Sequence, residues 1–173
     1  IPLCLVASEM FLRDNHRRLL DMGALVKETM HVLTRVLPEG IEVQTDIDET
    51  VHPALADESQ LQQAVLNLCI NARDAMLAHS GGGVLKLSVR AGLLSKPLDD
   101  GGSAEEPAVI LRVTDTGPGV PDNLRRRIFD PFFTTKGLGR GMGLGLSSVY
   151  NLVDTHGGTV DVNHAPGGGA QFS

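Results

Sequence analysis

The sequence predicts an α+β domain, a two-layer α/β sandwich in which helices cover one face of a mixed sheet. Apolar residues recur at helical spacing in separate segments, and the segments between them alternate apolar and polar residues as strands do. The chain has 173 residues, of which 42% are hydrophobic and 21% charged, a composition typical of one globular domain. The second face of the sheet is expected to be open or covered by a partner.

The first third of the chain predicts a helix followed by a strand. Residues 1–20 mix apolar residues and arginines irregularly, and we interpret them as the remnant of a preceding helical or linker region. The domain is therefore expected to span residues 21–173, with its C-terminus cut within the last strand. Helical periodicity runs from Asp21 to the turn at 38–40, and residues 41–47 alternate as a strand.

The middle third predicts a long helix and two strands. The helix opens at Asp57 and ends at the turn 80–83, and its apolar positions are Leu61, Ala64, Val65, Leu68, Ala72 and Ala75. Residues 84–91 and 109–113 alternate as strands. Residues 92–107 between them are rich in Gly, Ser, Asp and Glu, which predicts a flexible hairpin loop.

The last third predicts a lid between two helices. Residues 123–128 suggest a short helix, and residues 130–142 are rich in Gly, Thr and basic side chains, as is typical of a mobile lid. A last long helix is predicted over 144–156, followed by a strand at 159–163 and another from 171 to the end.

The bulk charge argues against a nucleic-acid-binding protein. The net charge is -6 and the pI about 5.4, whereas nucleic-acid surfaces need clustered Lys and Arg. The one basic cluster, 125–127, is either a solvated face or a contact with an acidic partner. No stretch reaches the roughly 20 apolar residues that span a bilayer, so we expect a cytoplasmic domain whose parent protein is either anchored in a membrane or not.

Two asparagines lie one helical turn apart in the predicted long helix. Asn67 and Asn71 project from one side, with Asp74 close to the same line. Asn is mildly unfavourable inside a helix because its side chain competes for backbone hydrogen bonds. The pair therefore either caps neighbouring backbone groups or provides a site, in which one amide oxygen ligates Mg²⁺ and the other amide lies beside phosphates.

An acidic residue and two glycines follow the strand 109–113. In Asp115-x-Gly117-x-Gly119 the glycines permit a sharp turn and the close approach of a flat ring. On its own the pattern is a common Asp-Gly turn. An Asp at the base of a pocket also accepts a hydrogen bond from the exocyclic amino group of adenine, a donor that guanine lacks at that ring position. Such charged hydrogen bonds contribute about 1.5–3 kcal/mol.

A ladder of alternating glycines leads into the last long helix. Its members are Gly137, Gly139, Gly141, Gly143 and Gly145. The ladder is either a loop kept flexible for its own sake or a phosphate site, because free amides and the helix dipole favour anions at a helix N-terminus. Lys136 and Arg140 add positive charge, although an isolated Arg140 is equally compatible with a solvated side chain.

Taken in order, these motifs resemble the ATP-binding catalytic domain of bacterial sensor histidine kinases, in the superfamily shared with gyrase, the heat-shock chaperones and MutL. Five segments resemble, in order, the N box, the G1 box, the F box, the G2 box and the last glycine motif of that family: residues 57–76, 115–120, 128–135, 139–146 and 167–172. The segments 71–75 and 130–135 are most similar to the nitrogen-regulation type of kinase.

The resemblance implies a role for each candidate residue. Asp115, with Gly117 and Gly119, is expected to bind adenine, Asn71 to ligate Mg²⁺, and Asn67 to lie near the phosphates. Many relatives have Lys where this chain has Asp74, so the positive charge on the phosphates is expected to come from other residues: Arg73, Lys136 or Arg140. The lid over the phosphates is expected to be shaped by Gly141, Gly143, Leu144 and Gly145.

The resemblance also implies a reaction. The chain is expected to bind Mg-ATP and transfer the γ-phosphoryl group to a histidine on a separate dimerisation domain, from which the receiver domain of a response regulator takes it; the parent protein is expected to be a homodimer. His16 lacks the sequence context of a phosphoacceptor. Branches that split water carry Glu where this chain has Asn67, which cannot act as a general base. The alternatives are a hydrolytic or switch ATPase and a non-catalytic docking module.

Overall fold

A computed structural model describes residues 3–6, 17–97, 101–136 and 142–173. The strands in these ranges are β1 (Leu3–Val6), β2 (Arg18–Leu20), β3 (Ile41–Ile47), β4 (Ala54–Ala56), β5 (Gly83–Pro97), β6 (Ser103–Asp115), β7 (Val162–His164) and β8 (Ala170–Phe172). The helices are α1 (Met22–Val36), α2 (Glu58–Ser80) and α3 (Gly145–Thr155), with a 3-10 helix at Arg127–Phe129. None of the helices in these ranges is both long enough and apolar enough to cross a bilayer.

The sheet is mixed, as predicted. Its strands follow the order β3-β5-β6-β8-β7, and β1 pairs with β6 beside this path. Strands β3 and β5 are parallel, whereas the remaining pairs are antiparallel. Strands β2 and β4 form a separate antiparallel pair.

Helices cover one face of the sheet, which confirms the predicted sandwich. Alternate residues of β5 and β6 are buried on this face: Leu85, Leu87, Val89, Val109, Leu111 and Val113. The core extends into α2 through Leu68, Cys69 and their neighbours, and burial raises the pKa of the Cys69 thiol to about 12. Beside β3 the opposite face is polar, with Asp46 paired to Lys86 at 3.3 Å and to Arg90 at 2.6 Å. Farther along β5 and β6 it holds a second buried apolar cluster of Leu94, Ala108 and Ile110.

Aspartates cap the starts of the first two predicted helices. The side chain of Asp21 accepts from the amides of Gly23 and Ala24, and that of Asp57 accepts from the amide of Gln60. These contacts satisfy donors that lack a partner inside the helix. The positions at which α1 and α2 begin are therefore confirmed.

Two predictions about irregular segments are wrong. Residues 3–6 and 18–20 are strands that pair with β6 and β4, so neither is a helical remnant. The predicted loop over 92–107 is largely a continuation of the hairpin, in which β5 reaches Pro97 and β6 begins at Ser103. Cross-strand pairing over this length supplies partners that a polar composition does not reveal.

The elements after β6 follow the predicted order, but some of them differ from the prediction in length. The short helix predicted at 123–128 is a series of turns followed by the 3-10 helix. The strand predicted at 159–163 occupies Val162–His164, where it pairs with β8. The last long helix is confirmed, because α3 runs between Leu144 and His156 as its caps.

His156 joins the end of α3 to the start of α2. The side chain of His156 is buried. Its Nδ1 lies 2.8 Å from the carbonyl oxygen of Leu152, and its Nε2 accepts from the backbone N–H of Asp57 at 3.1 Å. The neutral imidazole therefore donates at one nitrogen and accepts at the other.

We predict that replacing His156 with Phe lowers the free energy of unfolding by about 1–3 kcal/mol, because the amide of Asp57 loses its acceptor and the carbonyl of Leu152 keeps only the backbone N–H of residue 156. Urea denaturation followed by circular dichroism measures the change. The exposed His31 is the control, and its replacement should change stability by less than about 0.5 kcal/mol. Equal stability of the two variants would contradict the capping role.

Candidate functional site

The polar stripe of α2 lies beside its buried apolar stripe. Asn67, Asn71 and Asp74 are half-buried, whereas Leu68 and Ala72 between them face the core. Asn71 and Asp74 both contact Lys136, so the structure brings these three side chains together. Asn67 lies one turn earlier, where its Oδ1 accepts from Nε2 of Gln63 at 3.1 Å.

A cavity of about 250 Å³ opens against this stripe. Its walls come from α2, from the F-box segment and from the start of α3; the lining residues are Asn71, Ile128, Phe133, Thr134, Thr135, Lys136, Met142, Gly143, Leu144, Gly145 and Leu146. Five of the predicted site residues thus share one cavity, which lies outside the core of the sandwich.

The N-terminus of α3 contributes one wall of this cavity. Unlike α1 and α2, this helix has no side-chain cap, because its N-cap residue is Leu144. A Cβ atom built at Gly145 would lie 3.6 Å from Nδ2 of Asn71, so the helix start adjoins α2. Uncapped first-turn amides and the positive end of the helix dipole make this wall suited to an anion.

A backbone clamp joins the two ends of the lid segment. The N–H of Phe132 donates to the carbonyl oxygen of Gly143 at 3.0 Å. Phe132 has φ 65° and Gly143 φ 66°, both in the left-handed region. A Cβ at Gly143 would lie 2.5 Å from the carbonyl carbon of Phe132, so only glycine fits there.

Asp115 ends β6 as a buried carboxylate, with 3% of its surface exposed. Its Oδ1 accepts from the backbone N–H groups of Gly117 at 2.8 Å and Ala170 at 3.2 Å. Within the described ranges no donor reaches Oδ2, which leaves that oxygen as an acceptor for a ligand. Desolvation raises the pKa of Asp115, and the two backbone hydrogen bonds partly offset this rise.

The glycines after Asp115 pack where a side chain would not fit. A Cβ at Gly117 would lie 2.9 Å from Oδ1 of Asp115 and 3.4 Å from Cβ of Ala75, on the turn of α2 that follows Asn71. Gly119 has φ 76°, and a Cβ there would lie 3.0 Å from the carbonyl oxygen of Gly169. Helix α2 is therefore the element shared by the Asp115 turn and the cavity.

Three residues of this region received no role from the sequence. A Cβ at Gly169 would overlap the backbone carbonyl of Asp115, and Ala170 donates to its carboxylate. Thr116 Oγ1 accepts from the N–H of Val84 at 2.9 Å and so ties the turn to β5. The glycine run 167–169 was the only signal in the sequence, because backbone donors leave no mark on residue identity.

Two of the basic residues expected to contact the phosphates, Lys136 and Arg73, both contact Asp74. Lys136 Nζ lies 2.7 Å from Asp74 Oδ2 and 3.3 Å from Asn71 Oδ1. Arg73 donates through Nε and Nη2 to Asp74 Oδ1, at 2.9 and 2.7 Å. Other predicted lid residues lie outside the described residues: Gly137, Gly139, Arg140 and Gly141.

The residues of the cavity fit a metal ion that takes few ligands from the protein and more from water and the phosphates of a bound molecule. In the described ranges no group of three His, Cys, Asp or Glu side chains is arranged to hold an ion. Asn71 supplies an amide oxygen on the cavity wall. Mg²⁺ keeps several waters and commonly binds through one or two protein oxygens together with substrate phosphates, which agrees with such a sparse donor set.

A larger cavity of about 510 Å³ contains none of the predicted site residues. It lies between the turn at 125–126, the segment 129–131 and the outer side of α3, where Tyr150 and Asn151 line it. Polar groups suited to a nucleotide converge on the smaller cavity, and we therefore place the candidate site there.

Comparison with known proteins identifies the family to which the chain is similar. The sequence profile of the family described as histidine kinase-, DNA gyrase B- and HSP90-like ATPase matches residues 56–173. Sensor kinase CckA of Brucella abortus (strain 2308) is 35% identical over 88% of this chain and 16% of its own length. Signal transduction histidine-protein kinase AtoS of Escherichia coli (strain K12) is 33% identical over 93% of this chain and 24% of its own length. Full-length ShkA, solved in complex with AMPPNP, is 31% identical with a TM-score of 0.67, over 96% of this chain and 31% of that one.

We predict that Asp115→Asn unfolds at the same urea concentration as the wild type at pH 7, or at a higher one. A carboxyl whose folded-state pKa is raised gives stability that is complete below its unfolded pKa, about 3.9, and is lost as pH rises through the folded value. Asn keeps an oxygen for the two backbone donors without the charge. The difference between the proteins should vanish as the pH falls below about 4.

Asp46→Asn is the matched control for this titration. Hydrogen bonds from Arg90 and Lys86 lower the pKa of Asp46, so its contribution is present at pH 7 and lost in acid. We expect this substitution to reduce stability at pH 7, the opposite of the result at Asp115. A marked loss of stability in Asp115→Asn at pH 7 would contradict the electrostatics assigned to the site.

Proposed function

Because the chain belongs to the histidine kinase-, DNA gyrase B- and HSP90-like ATPase family, we propose that it binds Mg-ATP and donates the γ-phosphoryl group to a histidine on a separate dimerisation domain. The observation that carries the proposal is the arrangement along α2. The turn that follows the buried carboxylate Asp115 packs through Gly117 against one turn of the helix, and the polar cavity opens at the preceding turn, at Asn71.

Asp115 selects the base. Its Oδ1 is held by two backbone donors, so Oδ2 accepts the exocyclic amino group of adenine. Guanine presents a carbonyl oxygen at that position, which would oppose the carboxylate. Gly117 and Gly119 let the turn pack closely beside the carboxylate, where a side chain at either position would meet Asp115 or Gly169.

The cavity receives the phosphates. The uncapped start of α3, at Leu144 and Gly145, turns its amides toward them, and Lys136 supplies positive charge. Asn71 would hold Mg²⁺ through its amide oxygen, and Asn67 would orient the terminal phosphate from the preceding turn. When bound, Mg²⁺ neutralises charge that develops on the phosphates during transfer.

Asn67 directs the phosphate to a protein acceptor. An amide cannot remove a proton from water, and Asn67 instead bonds to Gln63. Transfer therefore depends on positioning and charge neutralisation and needs a nucleophile supplied by another domain. The alternative, a hydrolytic or switch ATPase, would need a general base at this position.

The proposal extends to the whole protein, of which this chain is the ATP-binding part. The phosphohistidine would pass its phosphoryl group to an aspartate on the receiver domain of a response regulator, and the parent protein would be a homodimer. The names of the curated relatives, a sensor kinase and a signal transduction histidine-protein kinase, support this assignment. We place the domain in the cytoplasm, where ATP is available.

We predict that Asp115→Asn weakens binding of Mg-AMPPNP by about tenfold or more, because the amide presents a donor to the adenine amino group. Isothermal titration calorimetry measures the dissociation constant of both proteins. The exposed Asp154→Asn on α3 is the control and should bind as the wild type does. Wild-type protein that fails to bind, or a variant that binds equally well, would contradict the site.

We also predict that the isolated chain hydrolyses ATP slowly, and that Asn67→Glu raises the rate by introducing a general base. A coupled assay of phosphate release measures both rates, with Asn67→Gln as the control that lengthens the side chain without a charge. Rapid hydrolysis by the wild-type chain would favour the switch ATPase over the kinase.

A further inference from the structure

Lys136 lies across the candidate phosphate site. Its ammonium donates to Asp74 Oδ2 at 2.7 Å and to Asn71 Oδ1 at 3.3 Å. The backbone N–H of Lys136 bonds to Oγ1 of Thr134, which directs this part of the lid segment toward α2. In the described part of the lid segment, the Lys136 ammonium therefore attaches the chain to α2.

Lys136 contacts Oδ1 of Asn71, the oxygen that the proposed function assigns to Mg²⁺. An ammonium has three donors and no acceptor, and here it occupies one of the two lone pairs on the amide oxygen of Asn71. Two cations on one amide oxygen repel each other strongly. Binding of Mg²⁺ at Asn71 therefore favours the departure of Lys136 from this oxygen.

Asp74 holds the ammonium in this position. Arg73 occupies its Oδ1 through two hydrogen bonds, which leaves Oδ2 for Lys136. The side chains of Lys136 and Asp74 are 34% and 29% exposed, so water screens the pair and it is easily broken. A ligand with several negative charges offers Lys136 a stronger partner than one half-buried carboxylate.

We propose that Lys136 and Asp74 form a latch that closes the site in the absence of nucleotide, and that Mg-ATP opens it by moving Lys136 from Asp74 to the phosphates. This inference rests on the proposed function. Asp74 is then a positioning residue that touches neither metal nor nucleotide, and the latch links nucleotide binding to the lid segment.

A double-mutant cycle tests the latch. The dissociation constant for Mg-AMPPNP is measured by calorimetry for the wild type, Asp74→Asn, Lys136→Met and the double variant. Opening the latch costs about two- to fivefold in affinity, the range of an exposed ion pair. Asp74→Asn should therefore bind about two- to fivefold more tightly than the wild type, whereas the same substitution should have no effect in the Lys136→Met background.

The cycle separates the latch from other roles of Asp74. If the carboxylate merely repels the phosphates, Asp74→Asn will tighten binding equally in both backgrounds. If Asp74 is a ligand of the metal or nucleotide, the substitution will weaken binding in both. Either result would overturn the latch.

A second ion pair serves as the control. Binding of Mg-AMPPNP by the wild type distinguishes failure of the proposed function from failure of the latch. Asp46 and Lys86 lie 3.3 Å apart on the polar face of the sheet, and Asp46→Asn should leave the dissociation constant unchanged. A wild-type protein that does not bind Mg-AMPPNP would overturn both the function and the latch. Wild-type binding without coupling between Asp74 and Lys136 would overturn the latch alone.

Discussion

The packing of one apolar stripe of α2 is the constraint on which the rest of the molecule depends. Seven of its residues are buried: Leu61, Ala64, Val65, Leu68, Cys69, Ala72 and Met76. This burial fixes the rotation of the helix, and with it the direction of the polar residues at 67, 71 and 74. Because the turn after Asp115 packs on the same helix, the two ends of the site cannot move independently.

The charges at the two ends of the site match the two ends of the proposed nucleotide. The uncapped start of α3 and Lys136 present positive potential on one side of the cavity, and the base end contains a buried carboxylate whose desolvation is costly. Such a carboxylate is retained when a partner makes use of it. The proposed latch accounts in the same way for Asp74 beside the proposed phosphate site, where it pairs with Lys136.

Much of this could be predicted from the sequence, and the misses have physical causes. Helix starts, several strand segments and the helical line of Asn67, Asn71 and Asp74 follow from periodicity and capping, which are local. The extension of the 92–107 hairpin and the strand at 3–6 depend on pairing between distant segments. The donors to Asp115 are backbone groups, and the contact of Lys136 with α2 joins residues more than sixty positions apart, so neither is visible in a local pattern.

In the proposed complex, a single nucleotide bridges Asp115 and Asn71 along α2. A crystal structure of the chain with Mg-AMPPNP tests it most directly. We expect the adenine amino group on Oδ2 of Asp115, the metal about 2.0–2.1 Å from Oδ1 of Asn71, and Lys136 on the phosphates rather than on Asp74. A nucleotide bound instead in the larger cavity beside Tyr150, with Asp115 and Asn71 untouched, would contradict the account.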